Sequence, residues 1–275
     1  MVTSQNLYYK IVLRWGLYQI EIHLLVLLSK PYFIILFKVK FMKTALFATL
    51  FIATLSSCKM ITGNGNVQKE TRNPGIFTKV HSSGSADVEI TPGSSCAVTV
   101  EDDENLLPYL VTDVENGTLN IHYRNGVSVS DDHAKIYITT PTLSEVSTSG
   151  TSNITVSGIL KNSDKISFNT SGAGDIDASV EAPAVSVTIS GVGAVQISGH
   201  TKDFDCHISG VGKAACGNLE SENTNVSVSG VGDAHVFASV HLSATVSGTG
   251  SIYYRGNPQN PEIHTSGVGS IKPEN

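Results

Sequence analysis

Apolar and polar side chains alternate along the second half of the chain, and the same alternating segment occurs seven times. Two inward positions flank one polar position, which is the period of two expected of a β-strand with one buried face. The first inward column contains Val146, Phe168, Val187, Cys206, Val226, Ala244 and Ile263. The polar column after it contains Ser147, Asn169, Thr188, His207, Ser227, Thr245 and His264. Each copy therefore predicts a strand with one face in a core.

A Ser-Gly pair closes each of these segments. The serines are Ser149, Ser171, Ser190, Ser209, Ser229, Ser247 and Ser266, at intervals of 22, 19, 19, 20, 18 and 19 residues. In six of the seven copies a second glycine follows two residues after the first. Glycine permits either a positive φ or a crowded corner, so this unit predicts a bend. The alternation then resumes, with inward Ile154, Ile176, Val195, Ala214, Ala234, Ile252 and Ile271.

Two strands that return in the same order predict a solenoid and not a hairpin meander. Short antiparallel turns would give mirror-related patterns with a strand about every 8–12 residues. Nineteen residues at roughly 3.3 Å each give about 60 Å of contour, enough for a small closed coil. Stacked coils pair equivalent strands in parallel and bury each column against itself. We therefore predict an all-β fold, a parallel β-helix with rungs of about 19 residues, over residues 76–273.

The pattern is less regular over residues 76–145. A weaker early copy of the repeat has inward Val80, Val88 and Ile90. Further on, residues 110–114 and 119–123 flank an Asn-Gly pair, which predicts two antiparallel strands around a tight turn. We expect this pair to cap or widen the first coils.

The N-terminal part contains an export signal. Met42 and Lys43 precede a dozen mainly apolar residues and then Leu-Ser-Ser-Cys58. The apolar run is too short to span a bilayer comfortably, so residues 42–57 are predicted to be a cleaved signal peptide. The final tetrapeptide resembles a bacterial lipobox, which implies lipidation of Cys58 and attachment to the membrane through that lipid. An ordinary signal peptide with a chance cysteine is the alternative.

The residues on either side of this signal are interpreted differently. Residues 1–41 either precede the true translation start at Met42 or form an additional membrane-active segment. We favour the first interpretation, because Met42 opens a complete signal by itself. Residues 58–75 are polar and contain glycine at their start, and they are predicted to be a tether.

Charge is distributed unevenly along the chain. Residues 1–58 contain six basic residues and one acidic residue, whereas residues 59–275 contain 12 Lys and Arg against 23 Asp and Glu. A body this acidic repels phosphate backbones, so nucleic acid is not an expected partner. Aromatic residues make up only 7% of the chain, which argues against a large enzyme core with deep aromatic pockets.

Three motifs resemble the putative auto-transporter adhesin, head GIN domain family. They are Gly-Asn-Gly-Asn-Val at residues 63–67, Ser-Gly-x-Ala-Asp-Val-Glu-Ile at residues 83–90, and the repeated Ser-Gly-x-Gly unit. The Gly-Ile-Asn turn of that family is present only in loosened form, as at residues 174–177. The resemblance covers about residues 63–273. It implies a right-handed, pectin-lyase-like β-helix, an adhesin role and no established catalytic residues.

Cysteines and histidines offer little chemistry. The cysteines are Cys58, Cys96, Cys206 and Cys216, none in a CxxC pair, so no zinc site is expected. The last two fall in inward columns and are interpreted as small core residues, with a disulfide between them as the alternative. His207 and His264 share an outward column three rungs apart, about 14 Å, and cannot share a metal. His235 is interpreted as an isolated, solvated side chain.

The acidic runs at residues 101–104 and 131–132 are interpreted as solvated loops. Calcium binding and catalysis are the less favoured alternatives, because a β-helix enzyme needs acids that converge on one groove. These runs cannot be placed together from sequence. We assign no catalytic residue, metal ligand or cofactor.

Together these features predict a noncatalytic envelope or surface lipoprotein of the outer membrane, either an adhesin or a ligand-binding solenoid. The expected partner is a glycan or a surface protein, and the acidic body favours a neutral or basic one. A carbohydrate-active β-helix enzyme and a purely structural envelope component are the alternatives.

Overall fold

The computed structural model describes residues 7–15, 18–26 and 59–274, and all the regular elements in these ranges are β-strands. The chain divides into two compact units, residues 1–57 and residues 58–275. In the first unit, β1 (Leu7–Trp15) and β2 (Tyr18–Val26) pair antiparallel. The predicted signal peptide and Cys58 lie outside the described residues. In the described ranges there is no helix with the length and apolar character that crossing a membrane needs.

The second unit begins with nine strands that belong to its less regular part. They are β3 (Lys59–Thr62), β4 (Val67–Arg72), β5 (Lys79–Ser82), β6 (Asp87–Pro92), β7 (Ala97–Asp103), β8 (Leu110–Glu115), β9 (Thr118–Tyr123), β10 (Val127–Ser130) and β11 (Lys135–Thr140). Eleven strands of the regular coils follow. They are β12 (Glu145–Thr148), β13 (Ile154–Lys161), β14 (Lys165–Thr170), β15 (Ile176–Ile189), β16 (Ala194–Ile208), β17 (Lys213–Val228), β18 (Asp233–Phe237), β19 (His241–Val246), β20 (Ser251–Arg255), β21 (Glu262–Thr265) and β22 (Ile271–Pro273).

Parallel pairing advances the chain by one rung at each step. Val187 pairs with Cys206, Cys206 with Val226, Val226 with Ala244 and Ala244 with Ile263. This is the order of the first inward column in the sequence. The predicted parallel solenoid is confirmed, and its coils stack for about six turns.

The side chains of the predicted inward columns lie inside the coils and belong to the core. Phe77, Phe168 and Phe204 are among its largest fully buried side chains. Full burial of such a side chain stabilises the fold by about 1.5–3 kcal/mol. Ile263 is the exception in its column, because it is 46% exposed on the last described coil.

The glycine columns are explained by the close approach of successive rungs. A Cβ on Gly172 would lie 1.9 Å from the carbonyl oxygen of Gly150. In the second column, a Cβ on Gly193 would lie 2.1 Å from the carbonyl oxygen of Gly174. These four glycines are not among the residues with positive φ. Of the two explanations for the glycines, the crowded corner is therefore correct.

The less regular part contains the predicted antiparallel hairpin. β8 and β9 pair around Asn116 and Gly117, whose φ angles of 51° and 75° are those of a tight hairpin turn. β9 then adds in parallel to β5, which pairs on its other edge with β12 of the regular coils. The hairpin therefore continues the ladder of the solenoid.

The prediction of a tether at residues 58–75 is wrong for most of that segment, because β3 and β4 are paired strands. β3 pairs in parallel with β10, and β4 pairs antiparallel with β7. β4 is almost wholly exposed, so it has no apolar face that could produce an alternating pattern. Its strand structure comes from backbone hydrogen bonds to β7, which sequence periodicity does not report.

Candidate functional site

The acidic run at residues 101–104 is not a solvated loop. Glu101, Asp102 and Asp103 belong to β7, and both aspartates have 0% exposure. β7 is held between β4 and β11, which both pair with it antiparallel. The run therefore places two carboxyl groups inside the protein. The solvated-loop interpretation is wrong for Asp102 and Asp103 because it missed this strand.

Asp102 is fully engaged by internal donors. The hydroxyl of Tyr123 donates to Asp102 Oδ2 at 2.7 Å, and the N–H groups of Asp103 and His133 donate to Oδ1 at 2.8 and 3.3 Å. Burial raises the pKa of Asp102, and the three hydrogen bonds oppose that rise. The pKa of Tyr123 is also raised, by its own burial first and then by the neighbouring carboxylate. Tyr123 therefore serves as a donor and not as a base.

Asp103 binds a residue from the second acidic run. His133 Nδ1 donates to Asp103 Oδ2 at 2.9 Å, and this hydrogen bond raises the pKa of His133. Asp103 Oδ1 is buried without a protein partner. A Cβ on Gly63 would lie 2.5 Å from Asp103 Oδ2, so only glycine lets the segment after β3 cross here.

The two acidic runs therefore meet, which the sequence could not predict. Asp132 Oδ2 accepts hydrogen bonds from Ser85 Oγ at 2.6 Å and from Tyr123 at 3.4 Å. We call this group the acid cluster: Asp102, Asp103, Tyr123, Asp132 and His133. In the part of the chain that the structure describes, no three His, Cys, Asp or Glu side chains are arranged to hold a metal ion.

A polar groove lies beside the acid cluster, with Tyr123 common to both. Its volume is about 640 Å³. We call it the hairpin groove, and it is lined by His81, Ser83, Gly84, Ser85, Asp113, Glu115, Asn120, His122, Tyr123, Asn125, Val127, Ser128 and Val129. The hairpin β8–β9 and strand β10 supply most of these residues. Hydroxyl, amide, imidazole and carboxylate groups dominate the lining, which suits hydrogen bonding to a polar ligand.

A second, shallower depression lies over the return segments of the coils. It measures about 800 Å³ and includes Lys161, Glu181, His200 and Glu222. Lys161 Nζ lies 2.5 Å from Glu181 Oε2 on the neighbouring rung. His200 Nδ1 lies 3.2 Å from Glu220 Oε2. Each of these exposed pairs joins neighbouring rungs, and as surface ion pairs they contribute little to stability.

Exposed valines form a row along the glycine corner. Each occupies the position between the two glycines of its copy, and each is more than half exposed: Val192, Val211, Val231 and Val268. Backbone hydrogen bonds link these corners, for example from Val211 N–H to the Gly191 carbonyl at 2.9 Å. The valines are contiguous over Val192, Val211 and Val231, and Thr249 occupies the equivalent corner before Val268.

The inward cysteines are core residues, as predicted. Cys206 and Cys216 are buried and not bonded to each other, so the disulfide alternative is wrong. Burial raises the pKa of the Cys216 thiol to about 12, which keeps it protonated. His207 and His264 lie in one outward column three rungs apart, linked through Ser227 and Thr245, as predicted.

The interpretation of His235 as an isolated side chain is wrong. Its ring stacks on that of Tyr253, with centroids 4.9 Å apart, and its Nδ1 lies 3.1 Å from Glu274 Oε2. The sequence did contain a signal for this contact. His235 and Tyr253 occupy the same outward column on successive rungs, where side chains lie within contact distance.

Known proteins share this architecture. Residues 76–258 match the family described as "Putative auto-transporter adhesin, head GIN domain". No curated protein matches the chain. A putative adhesin from Bacteroides fragilis NCTC 9343 is 26% identical, with a TM-score of 0.75, over 78% of this chain and 100% of that one.

Two further solved structures share the fold at lower identity. A putative lipid binding protein from Parabacteroides distasonis ATCC 8503 is 24% identical, with a TM-score of 0.65, over 79% of this chain and 100% of that one. A putative adhesin from the same strain is 20% identical, with a TM-score of 0.60, over 78% and 100%. At these identities the likeness concerns the fold alone.

Proposed function

Since this chain belongs to the putative auto-transporter adhesin, head GIN domain family, we propose that it is a noncatalytic binding protein of the cell envelope. Its mature part is held to the membrane by a lipid on Cys58. It presents the hairpin groove to a ligand. The putative adhesin similar to it at 26% identity supports this class of function.

One observation carries the noncatalytic part of the proposal. The catalytic alternative rested on the acidic run at residues 101–104, and within that run Asp102 and Asp103 lie inside the protein with no exposure. A general acid or base must reach the proton that it transfers, within hydrogen-bond distance of the substrate. Asp102 instead accepts three internal hydrogen bonds, and its role is to join β7 to the hairpin and to the segment before β11.

The chemistry of the hairpin groove supports a glycan or a surface-protein ligand. Its hydroxyl, amide and imidazole groups suit sugar hydroxyls or peptide amides. Asp113 and Glu115 add negative charge, and the body as a whole has 23 acidic residues against 12 basic ones. A neutral or basic ligand is therefore favoured at this groove. Many such modest contacts on neighbouring molecules would add through avidity.

The purified full-length chain tests this function on a panel of neutral and basic polysaccharides. Retention and product formation are measured together, with both reducing ends and unsaturated products assayed. We expect retention without turnover. The double variant Asn120→Ala, His122→Ala should weaken retention about tenfold, a loss of about 1.4 kcal/mol.

A matched control removes the same residue types elsewhere. Asn225→Ala with His207→Ala changes outward side chains of the regular coils and should leave retention intact. Turnover that disappears in Asp102→Asn or in the less buried Asp132→Asn, with melting unchanged, would establish the enzyme instead. Absence of both retention and turnover would favour a purely structural envelope component.

A further inference from the structure

A small pocket on the outward face of the regular coils is distinct from the hairpin groove. Its volume is about 330 Å³. We call it the Arg255 pocket, and the side chains that matter to it are Gln196, Lys213, Asn218, His235, Arg255 and Glu274. They come from five successive rungs, since β16, β17, β18, β20 and β22 stack in that order and Glu274 follows β22.

A β-bulge opens the pocket. Gln196 pairs with Ala215 but Ser198 pairs with Asn218, so β17 contains one extra residue between these pairs. This rung is the one with a 20-residue interval, from Ser209 to Ser229. Bulges of this kind redirect side chains and are common next to functional sites.

Gly217 keeps the space beside the bulge empty. A Cβ at that position would lie 3.9 Å from Cδ and Cζ of Arg255. That distance is ordinary contact, so backbone geometry does not require glycine here. A longer side chain at position 217 would cover the guanidinium group. The glycine therefore leaves Arg255 accessible.

The lining of the Arg255 pocket is predominantly basic, whereas the surrounding protein is acidic. Lys213, His235 and Arg255 line it, and Glu274 is its single acidic residue. Glu274 Oε2 lies 3.1 Å from His235 Nδ1 and 3.5 Å from Arg255 Nε, and Arg255 also donates to Asn218 Oδ1 at 3.2 Å. The hydrogen bond from His235, and then the charges of His235, Arg255 and Lys213, lower the pKa of Glu274. A carboxylate is thus the group that this arrangement accommodates.

We propose that the Arg255 pocket binds the carboxylate of an acidic monosaccharide unit, and that Glu274 is an internal stand-in which the ligand displaces. A volume of 330 Å³ is at the small end of ligand sites, about the size for one sugar ring. Arg255 offers a planar group of donors that matches a carboxylate, and Gln196 and Asn218 supply amides for hydroxyl groups.

Displacement of Glu274 requires only a side-chain rotation. The backbone of this residue is held separately, because its N–H donates to the Tyr254 carbonyl at 2.8 Å. The negative charge of the rest of the protein does not prevent binding, since ionic screening limits its reach to about 8 Å at physiological salt. This inference does not depend on the hairpin groove.

Titration calorimetry on the purified full-length chain tests the pocket with D-galacturonate, D-galactose and inorganic phosphate. We expect galacturonate to bind and galactose not to bind. Glu274→Gln removes the internal competitor and should tighten galacturonate binding about fivefold. Glu262→Gln removes an exposed acid from the neighbouring strand β21 and should change nothing.

Arg255→Gln should abolish galacturonate binding. Arg255→Lys keeps the positive charge and should weaken binding without abolishing it. The second variant thus separates loss of the guanidinium group from a folding defect in the first. The proposal fails if neither the natural chain nor Glu274→Gln binds galacturonate, or if galactose binds equally well. Phosphate binding as tight as galacturonate binding would overturn the assignment of an acidic sugar as the ligand and would indicate a general oxyanion site. Loss of glycan retention at the hairpin groove would leave these results unaffected.

Discussion

The carbonyl oxygen of Gly172 lies 1.9 Å from the point where a Cβ on Gly191 would stand. The same relationship recurs between successive rungs, from Gly150 to Gly267. Nothing flexible can move aside, because the obstacle is the backbone of the preceding rung. The corner of the solenoid therefore requires glycine through contacts between residues about 19 positions apart.

Gly191→Ala is expected to destabilise the protein by about 2 kcal/mol or more, because the methyl group forces two rungs apart. Ser190→Ala, at the exposed neighbouring position, should cost little. Chemical denaturation of the two variants measures the difference. Equal midpoints with equal slopes would show that the corner can relax, contrary to this explanation.

The inward and outward columns can be compared on adjacent residues. Ile208 is fully buried. His207 is exposed, and its Nδ1 forms one hydrogen bond of 2.7 Å with Ser227 Oγ. Ile208→Asp buries an unpaired charge and should cost about 3–5 kcal/mol, whereas His207→Asp should cost less than about 1 kcal/mol. Thermal melting decides the matter, and equal melting temperatures would mean that the column assignment is wrong.

The pH dependence of stability should report the pair formed by His133 and Asp103. Asp103 raises the pKa of His133, with smaller contributions from Asp102 and Asp132. The folded protein then holds the proton more tightly than the unfolded chain. The stability from this pair is complete below the unfolded pKa of about 6.5 and is lost as the pH rises through the folded pKa.

His133→Gln tests this assignment by removing the titrating group. The melting temperature of the natural chain should exceed that of the variant at pH 6, and the difference should shrink towards pH 9. His264→Gln, at an exposed position on the last coil, is the control and should leave the pH profile unchanged. A difference between the natural chain and His133→Gln that stays constant from pH 6 to pH 9 would mean that the ion pair does not titrate in this window.

The membrane anchor makes a chemical prediction at Cys58. Signal cleavage before this residue and acylation of its thiol should give a mature N-terminal peptide with lipid mass, and Cys58→Ala should abolish it. Mass spectrometry of the protein from its membrane fraction measures both. Cys96→Ala is the matched control, since that residue is partly buried and packs against the core of the folded body. An unmodified Cys58 in the mature protein would contradict the anchor.

The repeat by itself determined the regular coils. The inward columns through Val187 and Cys206, the outward column through His207 and the Asn116-Gly117 hairpin all have their predicted places. Period-two alternation and glycine spacing are local features of the sequence. In a stack of equivalent strands, the same local structure recurs in register on every rung. Sequence was therefore sufficient for the fold class and for the buried columns of the coils up to the last one, where Ile263 is exposed.

Only the tertiary structure decided which polar side chains meet. The approach of His133 to Asp103, and of Glu274 to His235, joins side chains that are 30 and 39 residues apart in the sequence. The surroundings of such contacts depend on two backbone features. These are the extra residue in β17 and the pairing of the exposed strand β4. Exposed polar positions have no periodicity, and a single-residue bulge changes which of them coincide. The solenoid was thus readable from its apolar columns, whereas its candidate sites depend on how separate rungs align.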